Sequence, residues 1–370
     1  MVNKERIVEE FIKLASIDSL SKKERQMADT LIQKLKAMGY EVFEDNAGEK
    51  TGGDTGNLIC NIKGTKAVPA LMLSAHMDTV VPGIGKKPRV DGSYIRSDGT
   101  TVLGGDDLSG VVCIFEALRV LKEKNIEHGD IQVVFSVDEE TGLSGSKNMD
   151  YSRIYSKYGI VLDSDGPIGS AAVKAPAQIN MFVTLKGRAS HAGMAPEKGI
   201  SAIQIAAAAI SSMKLGRVDF ETTANIGVIQ GGLATNIICE RVDIKAEARS
   251  RDPKKLEAQI SHMRECFEKV ASQFGGEVEF KTETAYPSYS IAKDAKIISI
   301  LKKAAGEAKV ELKLNETGGG SDTNIFNGKG IESIDVSAGM DKVHTVEEQI
   351  LIDDLVKATE FVICIIRNIE

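Results

Sequence analysis

Several short apolar runs, each of strand length and each closed by acidic or imidazole side chains, constrain this chain more than any other feature. The run 71–75 ends on His76-Met77-Asp78, the run 131–137 on Asp138-Glu139-Glu140, and the run 159–162 on Asp163. A further apolar run covers 57–62, and the loop Gly104-Gly105-Asp106-Asp107 leads into a segment, 108–121, of helical length and pattern. Strands alternating with helices imply an α/β sheet covered by helices. Carboxylates gathered where buried strands end repel one another and lose hydration, so either their pKa values rise or a metal compensates them.

The segments 7–14 and 27–38 repeat apolar residues at helical spacing, the second stopping at Gly39, so two amphipathic helices open the chain. From about residue 177 the pattern changes to strand 178–185, Ala-rich helix 200–213, strands 222–230 and 236–248, long helix 253–274 and strand 277–284. This β-α-β-β-α-β order is ferredoxin-like, with two helices on one face of an antiparallel sheet. A chain of 370 residues exceeds what one core usually organises. The expected division is a catalytic domain in two parts, 1–176 and 288–370, around an inserted domain at 177–287, with hinges near 175–177 and 287–291.

Composition narrows the partners. The net charge of −7 without a basic stripe argues against nucleic acid. No apolar run reaches membrane-spanning length, and the opening residues lack a secretory pattern, so a cytoplasmic address and no membrane partner are expected. The cysteines at 60, 113, 239, 266 and 364 never fall in a C-x-x-C spacing and read as reduced core thiols.

His76 and Asp78 are two apart, so an extended backbone turns them to one side, where the carboxylate can orient the imidazole. By itself His-x-Asp is also an ordinary strand-end pair. Asp106 stands in a glycine-rich turn before a helix, where Asp107 or Ser109 could serve as the N-cap. Glu139 and Glu140 are neighbours at a strand end, so one can bind a metal while the other faces substrate, although a solvated acidic loop would look the same. With His344 the chain holds a mixed nitrogen and oxygen donor set suited to zinc-like ions. His191, between Ser190 and Ala192-Gly193, reads in isolation as a solvent-facing turn residue, and His128 and His262 read as surface residues.

Taken in order, His76-x-Asp78, Gly105-Asp106-Asp107, Asp138-Glu139-Glu140-Thr141-Gly142, Asp163 in Leu162-Asp163-Ser164, Ser190-His191-Ala192-Gly193, Gly318-Gly319-Gly320-Ser321-Asp322 and His344-Thr345 resemble the two-zinc exopeptidase family that contains peptidase T, aminoacylase and glutamate carboxypeptidases. The likeness spans nearly the whole chain and is strongest to the peptidase T-like branch, where an aspartate stands at the position of Asp163. It implies a mixed catalytic sheet flanked by helices, with the inserted domain serving as lid and dimer contact.

The resemblance also implies a ligand set. His76, Asp106 and Asp163 would hold one zinc and Asp106, Glu140 and His344 the other, with cobalt or manganese as alternatives. Glu139 would be the general base, Asp78 would orient His76, His191 would donate to the oxyanion, and Asn236 and Arg249 would grip the substrate. The implied enzyme is a tripeptide aminopeptidase acting as a homodimer. The alternatives are an N-acyl amino acid deacylase or carboxypeptidase of the same family, or a non-catalytic metal-binding or assembly protein. One departure is that Leu108-Ser109 replace the lysine-containing continuation usual after the bridging aspartate.

Overall fold

Three parallel strands, Ile131–Ser136, Leu71–His76 and Tyr158–Asp165, lie side by side at the centre of the main sheet, with Glu332–Asp341 parallel beside the last. The sheet extends antiparallel on one side through Leu58–Ile62 and Val42–Glu44, and on the other through Gln349–Leu351, Tyr94–Arg96 and Arg89–Asp91. It is a mixed sheet flanked by helices. The computed structural model describes residues 2–370. They divide into two units, one of Met1–Val173, Ser290–Glu316 and Ser321–Glu370, the other of Lys174–Tyr289 and Thr317–Gly320.

Strand register decides where the closing residues stand. His76 pairs with Ser136, and Ser74 with Val161, so the carboxyl ends of the three central strands are level. Every residue of Leu71–His76 and Ile131–Ser136 is buried, as expected of strands covered on both faces. The helix Gly105–Glu123 packs on this sheet and is buried on nearly every side, with Phe115 stacked on Phe135 at a ring separation of 5.7 Å. Each such large apolar side chain contributes about 1.5–3 kcal/mol when removed from water. The helices Lys4–Ala15 and Arg25–Ala37 cover it further, and Glu10 joins them to it by ion pairs to Lys34 at 2.6 Å and Arg119 at 2.8 Å.

In the second unit the antiparallel order is Gly216–Arg217, Thr222–Gly231, Arg241–Ser250, Ala177–Lys186 and Glu277–Tyr286. The alternate residues Met181, Val183 and Leu185, with Val242, Ile244 and Ala246, pack under the helices Ala202–Ser211 and Pro253–Phe274. The long helix starts where Asp252 accepts a hydrogen bond from Lys254 N at 2.8 Å and Pro253 fills its first position, and it stops at Gly275, φ 75°.

Two expected boundaries shift for a local reason. The strand expected at 236–248 begins only at Arg241, because residues before it bond to a loop instead: Ala192 N donates to Asn236 O, Ile238 N to Ser190 O and Ala202 N to Cys239 O. Ser201 then caps the helix through Gln204 N, which starts it at Ala202. His128 and His262, expected at the surface, are both half-buried: His128 Nδ1 lies 2.6 Å from Gly129 O, and His262 Nε2 accepts from Lys214 N at 3.1 Å. All five cysteines are free. Among the described residues no helix is long and apolar enough to cross a membrane.

Candidate metal centre

The carboxyl ends of the central parallel strands deliver His76, the turn 138–140 and Asp163 to one place, which is where open α/β sheets bind ligands. His76 Nδ1 lies 3.0 Å from the main-chain oxygen of Asp78, so this nitrogen carries a hydrogen and Nε2 faces inward. There Nε2 meets Asp106 Oδ1 at 2.9 Å and Asp163 Oδ1 at 3.6 Å. Asp106 Oδ2 is 3.1 Å from His344 Nε2, which also lies 3.1 Å from Glu140 Oε2. The two oxygens of Asp106 therefore face two different imidazoles.

These separations fit ions. Donors held about 2.0–2.2 Å from one tetrahedral ion stand roughly 3.3–3.6 Å apart, which the 2.9–3.6 Å distances bracket. His76, Asp106 and Glu140 offer donor atoms all within 4.8 Å of one another, and so do His76, Asp107 and Asp163. Asp107 has another task, because its oxygens accept from His76 N at 3.2 Å and Gly110 N at 3.1 Å, which makes it the cap of the regular helix. Asp106 and Asp107 have non-helical backbone angles and are joined by a cis peptide bond.

The remaining carboxylates act as scaffolding. Asp78 Oδ1 accepts from Glu139 N at 3.0 Å and lies 3.4 Å from His76 Nδ1, while Oδ2 accepts from Glu140 N at 3.2 Å and Ser21 Oγ at 2.6 Å. One aspartate thus fixes both the imidazole and the backbone of the two glutamates. Asp335 accepts from Asp163 N at 3.1 Å and Ser321 Oγ at 2.8 Å. Glu348 accepts from Leu103 N, Gly104 N and Asp106 N at 2.6, 2.8 and 3.0 Å, clamping the glycine loop. Sequence reasoning assigned no task to Ser21, Asp335 or Glu348. Glu348 had one signal, its place in His344-Thr345-Val346-Glu347-Glu348, and Ser21 and Asp335 had none.

Electrostatics reflect burial and crowding. Burial raises the pKa of Glu139 and of Asp163 well above the ordinary carboxylate value, and the neighbouring charges of Asp163 and Asp106 respectively add to it. Glu140 is raised too, by burial first. Burial opposes a charge on His76, but Asp163, Asp106 and Asp78 outweigh it and hold the imidazole well above its usual value. His344, hydrogen-bonded to Asp106 and Glu140, is raised to about 10. For Asp106 burial again works upward, yet His344 and His76 win and lower it. Strain accompanies the arrangement: Asp138 and His344 sit at φ 51° and 63°, where residues with side chains are uncommon.

The other expected site residues lie in the second unit. His191 is exposed, and its Nδ1 accepts from Gly193 N at 3.2 Å and Met194 N at 3.1 Å, which leaves Nε2 to carry the ring hydrogen. His191 forms a bridge with Ile237, so Asn236 is its neighbour, and both are exposed. Arg249 lies apart on the strand Arg241–Ser250, in a two-point pair with Glu247 at 3.0 Å.

The chain is similar to an aminopeptidase PepT of Bacillus cereus, with 46% identity, TM-score 0.92, and 100% of this chain and 99% of that one covered. It is similar to a tripeptidase of Staphylococcus aureus at 40% identity and TM-score 0.95, covering 99% and 98% of the two chains. A peptidase T of Listeria innocua is 26% identical over 416 residues, covering 99% of each. Residues 72–368 match the profile described as Peptidase family M20/M25/M40, a span that begins at the strand bearing His76 and runs past His344, and the chain belongs to that family.

Proposed function

We propose that this protein is a metal-dependent aminopeptidase that removes the N-terminal residue from short peptides, tripeptides foremost. The observation that carries the reading is Asp106, whose oxygens lie 2.9 Å from His76 Nε2 and 3.1 Å from His344 Nε2, the disposition of a carboxylate shared between two ions. His76, Asp106 and Asp163 would hold one ion, and Asp106, Glu140 and His344 the other. Zinc suits the mixed donors, and cobalt or manganese could take the same positions. When bound by these residues, two such ions would supply a water of lowered pKa and polarisation of the scissile carbonyl.

Glu139 is the proposed general base. It is buried with its amide held by Asp78 and supplies no atom to either ligand set. It takes a proton from the attacking water and passes it to the leaving amine. Asp78 keeps His76 oriented. His191, whose Nε2 bears the hydrogen, is the proposed donor to the oxyanion, with Asn236 and Arg249 gripping the peptide. The inserted segment 177–287, between catalytic parts 1–176 and 288–370, is read as a ferredoxin-like lid and dimer contact, supported by the β-α-β-β-α-β order of its long elements, to which the two-residue strand Gly216–Arg217 is added. The protein is proposed to be a cytoplasmic homodimer.

The test combines metal analysis with a panel of unblocked tripeptides, dipeptides and N-acyl amino acids, assayed before and after chelation. Cleavage of the tripeptides that needs a free α-amine and disappears on chelation is expected. Preference for N-acyl substrates would make it a deacylase, and two bound ions with no turnover would leave a metal-binding protein.

A further inference from the structure

Lys86 is the only lysine or arginine among the described residues that is buried, with 4% of its surface exposed. Its ammonium has no hydrogen-bond partner. It stands against the glycine loop: a Cβ built on Gly104 would lie 3.4 Å from Lys86 Nζ, and one built on Gly105 would lie 3.1 Å from Glu348 Oε1. Burial lowers the Lys86 ammonium to about 8, against the charges of Asp18 and Glu348, which favour its protonated form. Asp18 is occupied by Gly85 N at 2.7 Å, which pins the loop carrying the lysine, while Glu348, 1% exposed, accepts three amide hydrogens from Leu103, Gly104 and Asp106.

Three amide donors fix this buried carboxylate in direction and favour its charge, while burial and the neighbouring Asp106 still work against it. An ammonium that makes no hydrogen bond cannot be a tether, so what it offers is charge. The cation comes from the loop after Leu71–His76 rather than from the helix bearing Asp106, whose first regular side chain is the buried Leu108. We propose that Lys86 is a positioning residue for the metal centre: it neutralises Glu348, so that the clamp on Leu103–Asp106 holds and Asp106 keeps one oxygen toward each imidazole. This role rests on the metal-centre reading.

The test measures zinc affinity by chelator competition on the full chain, with thermal midpoints in parallel, for Lys86→Met, Lys86→Arg, Lys86→Gln, Glu348→Gln and the double variant Lys86→Met/Glu348→Gln. Loss of the charge in Lys86→Met should weaken zinc binding by about tenfold or more, the scale of groups that support metal ligands. Lys86→Arg should stay within a few fold of the parent. The double variant should lose less than the product of the two single losses. Parent-like affinity in Lys86→Met, an Arg variant worse than Met, or losses that simply multiply would each overturn the proposal. If Lys86→Met does not fold, Arg against Gln decides in the same way. A parent that binds no zinc would instead defeat the metal-centre reading itself.

Discussion

Glu139 and Glu140 are adjacent, both buried or nearly so, and both hang from Asp78 through their amides, yet only Glu140 reaches an imidazole. The turn separates them. The strand ends at Ser136, Asp138 takes a left-handed backbone, and Leu143 N closes on Glu139 O at 2.7 Å, so the alternation of a strand no longer applies. A base that binds no ion can be removed without emptying the site. Glu139→Gln is expected to keep its metal content while turnover falls about 10²–10⁴-fold; rates within a few fold of the parent would remove Glu139 from the reaction.

The helix Gly105–Glu123 shows what an element must give up to hold such a site. It lies so close to the strand Tyr158–Asp165 that a Cβ at Gly110 would stand 2.5 Å from Asp107 Oδ1 and 2.9 Å from Leu162 O. Gly110→Ala should therefore push Asp107 and Asp163 apart, costing about 1–3 kcal/mol by overpacking and weakening ion binding, as read by denaturant unfolding and metal titration; an unchanged midpoint would deny the close contact. The helix itself was legible from Leu108 onward, because its apolar pattern has helical length. The irregular start at Asp106 and Asp107 was not, since it depends on Glu348, 242 residues from Asp106. The strand-end acids and imidazoles could be read as candidates because local apolar runs place them. The supports Ser21, Lys86, Asp335 and Glu348 could not, because each acts through contacts distant in sequence.

At the scale of the molecule, all five proposed ligands belong to one unit and none to Lys174–Tyr289. Ion binding should stabilise that unit by mass action, about 4 kcal/mol when free metal is a thousandfold above its dissociation constant. Hydrogen exchange should locate the gain there. The gain should depend on pH with a definite sign. Without ions, burial holds Asp163 and Glu140 protonated to higher pH than ordinary carboxylates, whereas ions bind the deprotonated forms. The gap in unfolding midpoint between loaded and metal-stripped protein should widen as pH rises through these raised values and on toward about 10, where His344 loses its proton, and shrink as pH falls. A gap independent of pH would contradict the crowding described for this site.

The order in which Asp106 acquires its two neighbours has a consequence during synthesis. His76 precedes it by 30 residues, while the partner of Glu140, His344, follows that glutamate by 204. Of the proposed ligands, His76, Asp106 and Asp163 are all present in the chain once residue 163 is made, and His344 only after nearly all the rest has been translated. With those proposed ligand sets, the donors of the first ion are all made before the inserted segment, and those of the second are complete only when His344 is.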